Sequence, residues 1–467
     1  MERPLHDRPA TDLCRDIAAG RLSPVVLAEA VLERIAAANP RVNAIVSLRP
    51  RDEILAEAQK AAEATPKGPL HGLPVAVKDL ADTAGLRTTY GSPLFKDHVP
   101  AADGLLAARL RAAGAIIIGK TNTPEFGLGS HTYNPVFGAT LNPYAPSRTA
   151  GGSSGGAAVA LAARMLPLAD GSDMMGSLRN PAGWNNVYGF RPSHGLVPSL
   201  ASDEGFLHPL STDGPMARDV RDLDLLLRAM AGPHPQDPLS GARHDGGDRP
   251  DIRRLRIGWL GDWGGHYAYE AGIADLCEAA LGVLSDLGCD VRPHRPQIEP
   301  EALWQSWTVL RSWAMAEKFR HAFADPAKRE AMKPAVQWEI ERGLSLSGAE
   351  IAQAGRVRTR WFREAAEMRP DILTAPTAQM FPFDAALDWP EEVAGRKMDT
   401  YHSWMEVMIP ASLAGLPALA VPAGFGPEGL PMGMQLIGRR GADATVLALG
   451  EAYHEVTRWP QRRPPSL

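Results

Sequence analysis

Residues 148–191, RTAGGSSGGAAVALAARMLPLADGSDMMGSLRNPAGWNNVYGFR, constrain the fold more than any other part of the chain. Two serine clusters sit in glycine-rich settings, Gly151-Gly152-Ser153-Ser154-Gly155-Gly156 and Met175-Gly176-Ser177. Between them lie a run of small apolar residues, 157–165, and one short strand. Flexible linkers also use Gly and Ser, but a linker does not continue into such a run. The run predicts a helix starting at Ser153 or Ser154, both good N-cap residues. Its N-terminus would offer free backbone N–H groups, and its glycines would let a ligand approach closely.

Bulk composition bounds the rest. The 467 residues are 45% hydrophobic and 22% charged, an ordinary soluble globular balance. Length alone allows two or three domains, and a large α/β sheet also absorbs a chain of this size. The net charge of −5, with no sustained basic run, argues against nucleic-acid and anionic-membrane partners. The first residues, MERPLHDRPATDLCRDIAAG, lack the apolar core and cleavage site of a signal peptide. No stretch approaches the roughly 18 apolar residues of a membrane span. Cys14, Cys277 and Cys289 have no metal-ligand spacing, and a reducing cytoplasm with free thiols is expected. Neither His-x-x-x-His nor Cys-x-x-Cys occurs, so neither a metal nor a cofactor is expected.

Taken in order, residues 11–65 read as three helices. One of them, 23–38, has Ser23 as N-cap and Pro24 at its first position. Residues 73–77 are a short apolar strand closed by Lys78-Asp79, and strand ends of α/β sheets are where sites collect. A helix over 105–113 and a buried strand over 115–118 follow. Residues 121–148 read as a long loop, and loops of that length are more often functional than idle. Glu125, His131 and Tyr133 in it are candidates to line a site, against the simpler reading of loop packing. Residues 232–250 read as an exposed excursion. A strand over 255–260, a helix over 273–287 and a strand over 289–292 predict a parallel crossover. Residues 300–368 are mainly helical and hold Trp304, Trp307, Trp313, Trp338 and Trp361, which suit helix packing or, as the lesser reading, a substrate wall. Strands follow over 371–374, 414–422 and 434–437.

Two nucleophile readings compete. Gly151-Gly152-Ser153-Ser154-Gly155 matches the G-x-S-x-G nucleophile elbow, which demands a strand immediately before it. Residues 142–148, NPYAPSR, read as unable to form a strand interior, so the match is set aside. The second reading needs a base other than histidine, because none of the thirteen histidines is placed to serve either cluster. A lysine serves if it is neutral, and burial lowers its pKa from about 10.4 by up to several units. Lys78, at the end of an apolar strand, fits.

With these residues in view the sequence resembles the amidase signature family over most of its length. The blocks are Gly72–Asp79, Gly119-Lys120-Thr121-Asn122 with Glu125-Phe126, Gly151–Gly156, Asp173–Arg179, Val187–Ser193, Gly214–Arg218, Gly415–Ala418 and Gly433–Gly438. Each is weak alone; their order and spacing are specific. The resemblance implies an α/β fold: one α/β/α domain over 1–467 around a mixed, mostly parallel twisted sheet. An N-terminal helical segment, 1–66, would pack on it, and a helical insertion, 300–368, would line the substrate pocket. It also implies a Ser-cisSer-Lys triad on Ser177, Ser153 and Lys78, with a cis peptide between Gly152 and Ser153. Neutral Lys78 would deprotonate Ser153, which would deprotonate Ser177 for attack on a carbonyl. Ser153 would then return a proton to the departing amine. Backbone N–H groups of Met174, Met175, Gly176 and Ser177 would bind the oxyanion, one such donor typically contributing about 3 kcal/mol. Ser154, Asp173 and Arg179 would support the loop. One departure stands out: the family has Gly-Gly before the nucleophile, and here it is Met175-Gly176. Methionine does not readily adopt φ > 0, so either that position is ordinary or the loop is altered, and Met174 or Met175 is expected to narrow an acyl pocket.

The activity implied is hydrolysis of the C–N bond of a fairly apolar carboxamide, anilide or carbamate, with esters and urethanes as side substrates. Apolar character is read from Met174, Met175, Trp184 and the tryptophan-rich helices. The alternative is an amidotransferase A-subunit passing ammonia to a tRNA-dependent partner complex. The expected partner is a small molecule, with the chain a cytoplasmic monomer or homodimer.

Overall fold

The computed structural model describes residues 3–200, 204–244, 246 and 250–467. The short apolar runs between helices assemble into one eleven-stranded sheet. Its strands, in chain order, are β1 (Ile45–Val46), β2 (Pro74–Lys78), β3 (Ile116–Thr121), β4 (Leu168–Asp173), β5 (Tyr188–Arg191), β6 (Thr212–Ala217), β7 (Arg256–Trp259), β8 (Asp290–Pro293), β9 (Ile372–Pro376), β10 (Ala418–Phe425) and β11 (Pro431–Gly438). The spatial order is β1-β3-β2-β4-β6-β5-β10-β11-β9-β7-β8. The sheet is mixed. Parallel ladders join β3, β2 and β4 on one side and β9, β7 and β8 on the other; antiparallel ladders run between them. The parallel crossover expected over residues 255–292 is present as β7, the helix Ile273–Asp286 and β8.

Helices cover both faces, as parallel strands buried on both sides require. The helix Gly155–Ala162 is buried along its whole length against β2, β3, β4 and β6. Small residues permit that approach. The N-terminal helices Ala10–Ala18, Pro24–Val42 and Arg51–Glu63 pack into the same core. The Ser23 hydroxyl accepts the Val25 N–H at 3.2 Å, as the sequence predicts for an N-cap. The buried Asp222 carboxylate accepts the Ala10 and Thr11 N–H groups, each at 2.8 Å, and so ties the N-terminus to the body.

Two expectations are corrected. Residues 414–422 are not one strand: the helix Ile409–Ala414 and Gly415, at φ 65°, precede β10. Residues 121–148 are not irregular throughout, because three two-residue strands and the strand Ala145–Thr149 form small hairpins there. The strand Ala145–Thr149 tolerates Pro146 because its ladder with Leu141–Asn142 bulges there, pairing only Ala145 and Thr149, and Pro146 is exposed, so no ladder hydrogen bond is lost. In the excursion over 232–250, the described residues are turn and irregular chain with no fully buried member, and 245 and 247–249 lie outside the described residues.

The tryptophans pack helices. Trp307 and Trp361 are buried, and the Trp361 indole donates to the Pro410 carbonyl at 2.8 Å. Trp184 stacks on Trp404 with ring centroids 5.4 Å apart. Among the described residues, no helix is long and apolar enough to cross a membrane. Cys14, Cys277 and Cys289 are unpaired.

Candidate active site

Lys78 ends β2 and is 1% exposed. Its backbone N–H donates to both oxygens of Asp170, at 3.0 and 3.3 Å. Its Nζ reaches three hydroxyls: Ser153 Oγ at 2.8 Å, Ser154 Oγ at 3.0 Å and Ser172 Oγ at 3.0 Å. Among the described residues it has no ion pair. Burial pushes its pKa down to about 7, against the opposing pull of the Asp170, Asp213 and Asp173 carboxylates. A neutral amine has two N–H donors and one lone pair. Three hydroxyl partners match that inventory if one hydroxyl donates to the lone pair.

Asp170 and Ser172 alternate on β4 and so share the face turned to Lys78. Across the antiparallel ladder Asp213 of β6 lies directly opposite Ser172. Burial raises both acids, Asp170 to about 7 with added repulsion from Asp213, and Asp213 to about 6 against the opposing pull of Lys78 and Lys318. The residue between Asp170 and Ser172, Gly171, allows close approach of the serine cluster: a Cβ there would lie 2.6 Å from Ser154 Oγ. Ser154 stands at the N-cap position of the helix Gly155–Ala162, yet its hydroxyl does not cap the helix. It is drawn instead to Lys78 and the Ser172 backbone. The Gly152–Ser153 peptide is cis. Asn180 Oδ1 accepts the Gly152 N–H at 3.2 Å, and Thr132 Oγ1 donates to the Gly151 carbonyl at 2.8 Å, holding this turn from two sides.

The two serine clusters meet directly. The Ser154 N–H donates to the Ser177 carbonyl at 3.2 Å. Ser177 lines the same cavity as Lys78 and Ser153, and among the described residues its hydroxyl has no hydrogen-bond partner. The loop carrying it is built on Asp173, whose buried carboxylate accepts the N–H groups of Gly176 at 2.8 Å and Leu178 at 3.2 Å. The same carboxylate pairs with Arg179 Nε at 3.0 Å and Arg191 Nη1 at 3.2 Å. Burial alone would raise the Asp173 pKa, but the two guanidiniums hold it far below the usual carboxylate range. Gly176 carries the positive φ, 87°, and a Cβ there would lie 2.5 Å from Met408 Cγ. Met175 is not among the positive-φ residues, so methionine replaces glycine at an ordinary backbone position. One of the four expected oxyanion donors is already engaged: the Gly176 N–H points to Asp173, because the loop needs that carboxylate to close. Among the described residues, the N–H groups of Met174, Met175 and Ser177 make no turn, loop or side-chain hydrogen bond.

The cavity in front of these groups measures about 570 Å³. Leu80, Phe126, Leu128, Met174, Met175 and Met315 give it apolar walls. The helix Pro300–Ala324 contributes Arg311, Ala314, Met315, Lys318 and Phe319, the i, i+3, i+4 spacing of one helix face. Trp184 and the five tryptophans of 300–368 are not on its wall, so the apolar character expected from them comes instead from the methionines and phenylalanines. Glu125, His131 and Tyr133 are not on it either. Glu125 accepts from Ser92 Oγ at 2.6 Å and the Lys333 N–H at 2.8 Å. His131 lies between Thr149 and the Ala385 carbonyl, and Tyr133 stacks on His131. No histidine hydrogen bonds to Ser153 or Ser177 among the described residues, nor is any group of three His, Cys, Asp or Glu arranged to hold a metal. Sequence reasoning missed Ser172, Asp170, Asp213, Arg191 and Arg311. The two-residue alternation of a strand ending at Asp173 was a usable signal for Asp170 and Ser172.

A family model described as amidase matches residues 26–447. An acylamidase of Rhodococcus erythropolis is 33% identical to the chain, over 99% of this chain and 98% of its own length. The A-subunit of the glutamyl-tRNA(Gln) amidotransferase of Thermus thermophilus is 37% identical, over 94% of this chain and 95% of its own. Among solved structures, a bacterial aryl acylamidase superimposes with a TM-score of 0.90 at 29% identity, covering 98% of each chain.

Proposed function

Because the chain belongs to the amidase signature family of amide-hydrolysing enzymes, we propose that it is a serine amidohydrolase whose nucleophile is Ser177 and whose proton relay is Ser153 and Lys78. The observation that carries this reading is the buried Lys78 Nζ, 2.8 Å from Ser153 Oγ and tuned to about neutrality. A second hydroxyl, unbonded, stands on the same cavity wall.

The chemistry follows from those groups. The Lys78 lone pair takes the Ser153 proton as Ser153 Oγ takes the Ser177 proton, and Ser177 Oγ bonds to the carbonyl carbon. The carbonyl oxygen becomes an oxyanion, for which the Met174, Met175 and Ser177 N–H groups are the available donors. Collapse breaks the C–N bond; the nitrogen leaves with a proton from Ser153, which recovers one from Lys78. Water, deprotonated along the same route, then cleaves the Ser177 ester and releases the acid. Hydrogen bonds between nucleophile and base are often long without substrate, which accommodates the unbonded Ser177 hydroxyl. Esters and carbamates present the same carbonyl and leaving group, and we extend the proposal to them as side substrates.

The likeness to an amidotransferase A-subunit supports a second reading, in which the same triad releases ammonia for a partner complex. A hydrolysis screen of the purified chain over aryl amides, aliphatic amides, esters and carbamates separates the two. Turnover of aryl amides by the chain alone is expected. Turnover only of glutamine, and only with added partner subunits, would overturn the first reading in favour of the second.

A further inference from the structure

One residue on the cavity face of the helix Pro300–Ala324 is a buried cation that touches the nucleophile loop. Arg311 is 4% exposed. Its Nε donates to Glu339 Oε2 at 3.1 Å and its Nη2 to Tyr401 Oη at 2.7 Å. Tyr401 donates in turn to Glu339 at 2.7 Å. The third arm differs: among the described residues Nη1 has only the Met174 Sδ, at 3.5 Å. A thioether is a weak acceptor, so this is the arm with hydrogen-bonding capacity left for an oxygen. Burial works against the charge, yet Tyr401 and Glu339 hold the Arg311 pKa above its ordinary value, so the group stays ionised. Met174 lies three residues before Ser177, and both line the cavity with Arg311.

The charge balance selects the ligand. Glu339 already neutralises Arg311, and five acids, Asp82, Asp170, Asp213, Glu204 and Asp237, line the same cavity against two lysines, Lys78 and Lys318. A carboxylate on the substrate would meet a wall that holds more acids than lysines, whereas a neutral carbonyl oxygen carries no charge for them to repel. We propose that Arg311 is a specificity-determining residue whose Nη1 takes a second, neutral carbonyl oxygen of the substrate, an ester or amide a few bonds from the scissile one, displacing the Met174 thioether. This rests on Ser177 being the nucleophile.

The test measures kcat/KM on two series of anilides. In one the acyl chain ends in a methyl ester, a carboxylate or a hydrocarbon of equal length; in the other the acyl group is acetyl and the aniline carries those substituents. The readout is the ester-to-hydrocarbon ratio in each series. In at least one series the ratio falls about tenfold to a hundredfold in R311M/E339Q, the span for a hydrogen bond to a charged donor. The double variant removes both charges, so no carboxylate is left buried alone. R311K, which keeps charge but loses the fork, lowers the ratio too, and M174L, which removes the competing sulfur, raises it. These two carry the test if the double variant does not fold. Ratios equal to wild type in both series for R311K and M174L overturn the proposal. A carboxylate preferred over the ester, and lost in R311K, overturns its choice of a neutral ligand. Hydrolysis of every member by S177A would instead remove the reading beneath it.

Discussion

Acidification should switch this site off through Lys78. The structure places the Lys78 pKa at about 7, lowered by burial from 10.5. The proposed relay needs the free amine, so the rate should follow the deprotonated fraction: about nine-tenths at pH 8, about half at pH 7, and about one-hundredth at pH 5. The sign is fixed: protonation removes the base, so the loss comes on the acid side. Asp170 and Asp213 titrate in the same window, at about 7 and about 6. As they gain protons they stop stabilising the ammonium, which lowers the Lys78 pKa and flattens the limb. The limb therefore belongs to the three groups together and falls by at most tenfold per pH unit. The assay is kcat/KM for an uncharged anilide from pH 5 to 10 at constant ionic strength, with substrate far below KM. The expected midpoint lies within about one unit of neutrality. A midpoint near pH 10, as for a solvated lysine, or a flat profile from pH 5 to 9 would refute the reasoning.

Asp173→Asn leaves Arg179 and Arg191 buried without a full countercharge, and breaking such a pair costs about 3–5 kcal/mol. Denaturant melts should show that loss, and a change below about 1 kcal/mol would contradict the structural role given to Asp173. Met175→Gly empties part of the cavity wall and removes a side chain that is 3% exposed. It is expected to shift preference toward bulkier acyl groups, and identical kcat/KM ratios across an acyl panel would reject that. Lys78→Met keeps the stem as far as Cε and loses the amine, and the rate should fall by about 10²- to 10⁴-fold; wild-type turnover would show that another base acts.

Much of this was legible in the chain because strand ends and helix starts have local signatures. The apolar run before Lys78 and the glycine-flanked serines before an alanine-rich helix placed three side chains at two kinds of element terminus. The relative positions of those termini were not local. Ser153 meets Lys78 because β2 and β4 are parallel neighbours and the helix Gly155–Ala162 packs over both. That pairing became visible only through the resemblance of the whole chain. Residues whose importance comes from what faces them were harder. Asp213 is one polar residue in a strand until the β4–β6 register sets it against Ser172. Arg311 is one arginine in a long helix until Glu339, Tyr401 and Met174 surround it. The strand Ala145–Thr149 was missed for the opposite reason: its proline forbids a regular interior strand, and a bulge in a small hairpin accommodates it.

The most direct measurement is mass spectrometry of the intact protein after brief reaction with an activated ester or a fluorophosphonate, followed by peptide mapping. The account predicts one covalent adduct on Ser177, absent from S177A and slowed strongly in the Lys78→Met variant. An adduct on Ser153 or Ser154, or equal labelling of S177A, would contradict it.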